Sequence, residues 1–221
     1  FIDYLSRLER QPDAKEWEAF TNALTTNLTA FFRESHHFPL LAEHIRHKQD
    51  PVTIWCSAAS TGEEPYSIAM TLLETLGAKA SQAKVIATDI DTDALAKARK
   101  GIYPQEQVRK LDEARVKRFF QKGTGNHIGL ARVRPEVSAL VEFMPLNLLA
   151  PQWPIKGPFD AIFWRNVMIY FDKETQAKIL KRFAPLMKQD GLLFAGHSEN
   201  FSYISDAFKL RGQTVYTLAN K

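Results

Sequence analysis

The chain has 221 residues, 45% of them hydrophobic and 24% charged, with a formal net charge of +4. That is enough chain to bury one large core with a small accessory unit, and the mild basic excess does not mark a nucleic-acid binder. The single cysteine, Cys56, excludes an internal disulfide framework and suits a reducing cytoplasm; no apolar run of about 18 residues can span a membrane, and no signal-peptide pattern opens the chain.

The chain begins at Phe1, so it is expected to be a fragment without its natural start. Apolar positions Leu5, Leu8, Trp17, Phe20, Leu24 and Leu28 recur at roughly helical intervals, and residues 1–50 read as helices. From Val52 the character changes. The run Val52–Thr53–Ile54–Trp55–Cys56 has the pattern of a buried strand, and Ser60, Thr61 and Gly62 form a turn. Glu63, Glu64 and Pro65 then open a helix, where the dipole favours acidic residues and a missing N–H does no harm. Its apolar side runs Tyr66, Ala69, Met70, Leu73 and Leu76, with Gly77 as the expected stop. The cycle repeats: residues 84–88 are a second strand, Asp89, Ile90 and Asp91 close it, and Asp91 or Thr92 caps a helix ending near Gly101.

Residues 119–138 break this rhythm. Gly123, Gly125 and Gly129, followed by the alternation Leu130, Arg132, Arg134, predict a small antiparallel insertion. Strands are then expected at 140–143 and 159–164. Asp172 caps a helix with Ile179, Leu180, Phe183 and Leu186 on one side, and strands at 191–195 and 214–218 follow. Strands alternating with helices imply an α/β fold, a doubly wound, mainly parallel sheet covered on both faces.

In such a sheet ligands bind beyond the carboxyl ends of the strands, near the point where strand order reverses. The small residues Ser57 to Gly62 let a ligand approach the backbone, and a helix N-terminus follows. This is not a G-x-G-x-x-G loop: it has one glycine and then two carboxylates, which repel a pyrophosphate but welcome a cation. A sulfonium with an α-amino group is such a cation, which favours S-adenosylmethionine over NAD. An ordinary turn with acidic capping is the competing reading. Asp89, at the end of the second strand, sits where a carboxylate grips ribose hydroxyls, although it could instead cap the helix that Asp91 also can cap. The histidines, the His36–His37 pair included, show no metal-ligand spacing, so no metal is expected. Cys56 beside Trp55 reads as a small buried hydrophobe.

Four runs in order resemble the CheR-type chemoreceptor methyltransferases. They are Thr26–Asn27–Leu28–Thr29–Ala30–Phe31–Phe32–Arg33, Ser60–Thr61–Gly62–Glu63–Glu64–Pro65–Tyr66–Ser67, Phe163–Trp164–Arg165–Asn166–Val167–Met168–Ile169–Tyr170–Phe171–Asp172 and Gly196–His197–Ser198–Glu199–Asn200. The resemblance implies the end of an N-terminal helical domain over residues 1–30, then a class I methyltransferase domain over 31–221 with a β-subdomain inserted at 119–138. It implies cofactor contacts from Asn27, Thr29, Arg33, Glu64, Asp89, Asn147, Leu148, Arg165 and Asn166, leaving open whether Glu63 or Glu64 makes the main one. The resemblance further implies S-adenosylmethionine as cofactor, S-adenosylhomocysteine as product, and as acceptor a glutamate side chain on a bacterial chemoreceptor's methylation helices.

A glutamate carboxylate, with an ordinary pKa of about 4.3, is already the nucleophile at neutral pH and needs no general base. Alignment is then the enzyme's task, and Arg33 and Tyr170 are the candidates for holding the acceptor. Tyr170 as a core aromatic and Arg33 as a surface helix charge are the plainer alternatives. The insertion resembles the family's tether for a receptor's C-terminal pentapeptide, added at an exposed strand edge, with Gly123, Gly125, Gly129 and Arg132 as the candidate contacts. A hairpin with no partner competes with that reading. The basic run Arg115, Lys117, Arg118 and Lys122 either attracts an acidic receptor surface or is a solvated helix face. A cytoplasmic monomer that neither binds nucleic acid nor inserts in a membrane is expected. Methylation of a small molecule or RNA on the same fold, and a receptor-binding module that only keeps the cofactor pocket, are the other functional classes.

Overall fold

A computed structural model describes residues 2–10 and 14–219 of the chain. The helices α1 (Ile2–Arg10), α2 (Ala14–Leu24) and α3 (His37–Ile45) precede β1 (Thr53–Cys56), α4 (Glu63–Leu76), β2 (Lys84–Asp89) and α5 (Thr92–Lys100). Next come β3 (Ile102–Pro104), α6 (Gln105–Val108), α7 (Glu113–Phe119), β4 (Phe120–Lys122), β5 (Leu130–Val133) and α8 (Pro135–Ser138). The chain closes with β6 (Val141–Pro145), β7 (Phe159–Trp164), α9 (Lys173–Phe183), β8 (Met187–Ala195), β9 (Phe208–Gly212) and β10 (Val215–Leu218). Among the described residues no helix is long and apolar enough to cross a membrane.

Seven strands form one sheet in the order β6-β2-β1-β7-β8-β10-β9. The β6–β2, β2–β1, β1–β7 and β7–β8 pairs are parallel, and β10 runs antiparallel to both β8 and β9. The runs that form β1, β2, β7 and the end of β8 are buried on both faces, and their side chains alternate between two cores. Ile54 and Cys56, Val85 and Ala87, Ala161 and Phe163, and Leu192 and Phe194 point into the core shared with α3 and α4. Trp55, Ile86, Ile162, Trp164 and Leu193 point into the opposite core, which α9 closes with Ile179, Leu180 and Phe183. The strand order reverses between β1 and β7, so the crevice of a doubly wound sheet opens above their carboxyl ends.

Several expected boundaries move. Leu28 belongs to no helix: α2 stops at Leu24, residues 25–30 have no regular structure, and both Leu24 and Leu28 lie exposed. Helix α9 ends at Phe183, and Leu186 follows in a 3₁₀ turn containing Pro185. Gly77, with φ +57°, does end α4, and the Asp91 and Asp172 side chains cap α5 and α9 by accepting the Ala94 and Thr175 N–H groups.

The insertion is larger than residues 119–138. Strand β3 joins β4 and β5 in a separate antiparallel sheet of order β3-β5-β4. Its Tyr103, Phe120, Ala131 and Val133 share the α3/α4 core, with Phe31 wedged between Tyr103 and Phe120 at ring separations of 4.9 and 5.3 Å. Tyr103 also donates its hydroxyl to the Thr61 carbonyl at 2.8 Å, tying the small sheet to the turn after β1. A side chain at Gly62 is excluded there: its φ is +101°, and a Cβ would lie 2.7 Å from the Tyr103 hydroxyl and 2.8 Å from Ala98 Cβ.

A candidate cofactor and active site

A cavity of about 410 Å³ opens beyond the carboxyl ends of β1, β2, β6 and β7. That volume is within the range of small-molecule sites. Each of Asn27, Thr29, Arg33, Glu64, Asp89, Asn147, Leu148, Arg165, Asn166 and Tyr170 lines it. These ten come from several separate segments of chain, and the fold brings those segments to one place. The irregular segment after α2 supplies Thr25, Thr26, Asn27, Leu28 and Thr29 to the cavity lining.

Asp89 ends β2, largely buried. Its carboxylate accepts the Ser60 N–H at 2.7 Å and the Asp91 N–H at 3.0 Å. Burial raises its pKa despite those bonds. One N–H per oxygen leaves lone pairs for a diol. It is Asp91, not Asp89, that caps α5, and the Asp91 carboxylate also takes the Asn27 amide at 2.7 Å. Asn27 in turn accepts the Ser60 hydroxyl at 2.7 Å, so the segment after α2 is pinned to the turn after β1. Ser60 adopts φ +47°, a conformation costly for a side-chain-bearing residue and often found where a site imposes it.

The two carboxylates at the start of α4 point to different places. Glu63 turns away from the cavity and accepts the Thr61 hydroxyl at 2.7 Å, whereas Glu64 lines the cavity. Glu64 Oε2 accepts Arg165 Nη1 at 2.6 Å, and its Oε1 accepts the Cys56 thiol at 3.2 Å. Cys56 is buried as expected, but it is also a polar partner of the site. Burial raises the Glu64 carboxyl above its ordinary range even though Arg165 opposes this, and burial beside Glu64 holds Cys56 as the neutral thiol.

Arg165 has a side chain only 1% exposed and follows β7 directly. Besides Glu64, it donates to the Arg33 carbonyl at 2.5 Å and lies 3.2 Å from Glu34 Oε2. The next residue, Asn166, has φ +59° and is held there by Glu199. That buried carboxylate accepts three backbone N–H groups, from Asn166 and Met168 at 2.9 Å each and from Gly196 at 2.6 Å. Sequence reasoning quoted Glu199 within a motif yet gave it no part. Glu34, which is not part of this cavity's lining, was missed altogether.

Arg33 sits in a turn, half-buried, and donates Nη1 to the Leu28 carbonyl at 2.8 Å; it is no surface helix charge. Tyr170 is no core aromatic either: it is 59% exposed in a short 3₁₀ turn at the cavity mouth. Leu24, Leu28 and Leu149 form the apolar rim around it.

On the insertion, Gly125 and Gly129 have φ of +56° and +86° and face open space. Gly123 is required by packing, since a Cβ there would lie 2.0 Å from the His127 carbonyl oxygen. Arg132 is on β5, the middle strand, paired with both Ile102 and Gln121, so only its side chain is available to a peptide. The free edges are β3 and β4. Of the basic run, Arg115 is engaged with Glu74 at 2.8 and 2.9 Å and stacks over Phe32, and Lys117 pairs with Glu113. Among the described residues no group of three or more His, Cys, Asp or Glu is placed to hold a metal ion.

The family model described as "CheR methyltransferase, SAM binding domain" matches residues 27–217. The chain is 62% identical, over its full length and 76% of the relative's, to a chemotaxis protein methyltransferase of Klebsiella aerogenes. It is 60% identical over 99% of its length to the Escherichia coli protein of the same name, covering 77% of that relative. A Pseudomonas aeruginosa chemotaxis protein methyltransferase 2 is 53% identical over 99% of this chain and 79% of its own length. A doubly wound sheet with its crevice lined by carboxylates, matched along nearly all of its length in this way, belongs to the CheR methyltransferase family: the chain is a chemotaxis-type methyltransferase carrying that family's S-adenosylmethionine-binding domain.

Proposed function

We propose that the enzyme esterifies glutamate side chains on the methylation helices of bacterial chemoreceptors, with Arg33 and Tyr170 holding the acceptor. The observation that carries this reading is the convergence of Arg33, Glu64, Asp89, Arg165 and Tyr170 on one cavity at the switch point of the sheet. The residues present suit S-adenosylmethionine. The Asp89 carboxylate has lone pairs for the ribose hydroxyls, Leu146, Leu148 and Ile90 offer an apolar slot for adenine beside Asn147, and Glu64 presents a buried carboxylate to an ammonium. Thr29, Asn27 and Asn166 complete the set of polar contacts.

When bound, the cofactor supplies an electrophilic methyl group on a sulfonium, and leaves as the neutral thioether S-adenosylhomocysteine. The acceptor carboxylate is ionised at neutral pH, so the chain has no proton to remove. Arg33 retains guanidinium N–H groups beyond the one given to Leu28, and among the described residues the Tyr170 hydroxyl has no partner. Together they orient one carboxylate oxygen toward the methyl carbon while leaving it nucleophilic. Opposite charges are lost as the oxygen–carbon bond forms and the carbon–sulfur bond breaks. The apolar rim of Leu24, Leu28 and Leu149 helps by thinning the water there.

Tethering of a receptor's C-terminal pentapeptide belongs to this reading. The free edge of β4 is the place for an added strand, with Gly125 and Gly129 leaving its path clear and the Arg132 side chain meeting a carboxylate. Residues 1–30 are then the end of a helical domain, and a monomer suffices for catalysis.

Labelled methyl transfer to a receptor cytoplasmic fragment tests the reaction. Base-labile methyl esters at glutamates support it, and binding of S-adenosylhomocysteine by an enzyme that labels no receptor glutamate sinks it. Titration of the pentapeptide against wild type and Arg132→Ala tests the tether separately.

A further inference from the structure

Glu34 lies outside the cavity, yet it touches two residues that line it. It sits in the turn before α3 with φ +53°, and its side chain is 13% exposed. Oε1 accepts the Asn166 amide at 3.2 Å, and Oε2 lies 3.2 Å from Arg165 Nη2. Burial alone would raise its carboxyl, but Arg165, the His197 backbone and the Asn166 amide together hold it below the ordinary value. Arg165 is therefore a single buried guanidinium between two carboxylates, Glu34 on one side and Glu64 on the other.

The charges decide what the cluster can do. A Glu64–Arg165 pair alone is neutral and offers a cation little. With Glu34 added, the buried cluster carries one surplus negative charge. The groups in contact with the cluster do not cancel it, since His37, 3.8 Å from Glu34, stays neutral and Cys56 stays a thiol; of the other charged residues that line the cavity, Arg33 and Asp89 carry opposite formal charges. The surplus falls toward the cavity because Glu64 Oε1 has only the weak Cys56 thiol as a donor.

We propose that Glu34 is a positioning residue for the amino-acid end of the cofactor. It engages the inner side of Arg165 and fixes Asn166, so that the guanidinium is shared between two carboxylates and does not by itself cancel the charge that Glu64 presents to the α-ammonium. This rests on the reading of the cavity as the cofactor site.

The test is calorimetric titration of wild type and Glu34→Gln with S-adenosylhomocysteine, its desamino analogue, and 5′-methylthioadenosine, which lacks the amino-acid end. The variant should bind S-adenosylhomocysteine about tenfold more weakly, the order expected for one charge removed at short range in a medium of effective dielectric about 20 or more. Its affinity for the other two ligands should stay within about twofold, since neither offers an ammonium. Equal weakening of all three ligands would mean that Glu34 merely supports the fold, and unchanged S-adenosylhomocysteine affinity would mean that it does nothing for the ammonium; either overturns the proposal. Should Glu34→Gln not fold, Glu34→Asp gives the same comparison, with a smaller loss confined to S-adenosylhomocysteine expected and a uniform or absent loss overturning it. A folded wild type that binds none of the ligands defeats the cofactor reading instead.

Discussion

His37 makes the stability of this fold sensitive to mild acid in a calculable way. Its ring is fully buried against Phe194 at the start of α3. Nε2 lies 3.0 Å from the Gln213 carbonyl and 3.0 Å from the Thr214 hydroxyl, in the turn that joins β9 to β10. Both turn residues have positive φ, 52° and 58°, so the contact holds a turn that its own residues disfavour. Burial, with the nearby Arg165 charge, lowers the pKa of His37 from 6.5 to about 4. In the unfolded chain the imidazole takes a proton near 6.5, while in the folded protein it resists until about 4. The stability it contributes is therefore intact above pH 6.5 and lost as pH falls through that window. Between pH 7 and pH 5 the loss is about 2 kcal/mol. Glu63, Glu64, Asp89 and Glu199, whose values are raised by burial, act in the opposite sense on acidification, so wild type alone does not isolate the histidine. His37→Gln does, because an amide can still donate to Gln213 and cannot titrate. Urea melts of both proteins at the two pH values should show wild type losing about 2 kcal/mol more than the variant, or roughly 4–8 °C in melting temperature for a chain of this size. Parallel losses in the two proteins would refute the assignment of a neutral buried His37.

Four further outcomes are expected. Asp89→Ala should lower S-adenosylhomocysteine affinity by about 100-fold or more, measured by calorimetry, as two hydrogen bonds to a charged group at about 1.5 kcal/mol each disappear. Tyr170→Phe should cut the methylation rate about tenfold while leaving that affinity unchanged, since one hydrogen bond to the acceptor is lost and the cofactor is untouched. Glu199→Ala should cost about 3 kcal/mol or more in urea melts, because three backbone N–H groups lose a charged acceptor in a buried place. Gly62→Ala should destabilise by about 2 kcal/mol or more and weaken cofactor binding, as a Cβ at φ +101° meets Tyr103 and Ala98.

The central strands were legible because burial on both faces writes itself as continuous apolar sequence. Strand β9 was not: only Phe208 of its five residues is buried, and so no period marks it. Strand β3 is three residues long and gives pattern reasoning nothing to count. The segment after α2 did carry a signal that was passed over. Thr25, Thr26 and Thr29 are β-branched and weak helix formers, and two exposed leucines spaced like a helix face outweighed them. The parts played by Glu34, His37 and Glu199 were hidden for a different reason. Each has partners far along the chain, 131 positions away for Glu34 and Arg165, and no local pattern encodes such a partner.

The turn after β1 shows where the two kinds of information meet. One glycine followed by two carboxylates reads as a pocket for a cation, and that much is local chemistry. Which carboxylate serves depends on helix phase, because consecutive residues diverge by about 100° around the axis. Glu63 is thereby turned toward Thr61 and the small sheet, and Glu64 toward the crevice. Glu64 alone would be poorly placed to receive a cation, since Arg165 already neutralises it. The pocket becomes anionic only when the turn before α3 delivers Glu34 to the other side of that guanidinium. The local sequence supplies the carboxylate, and the topology of the sheet supplies the charge balance that lets it attract a cation.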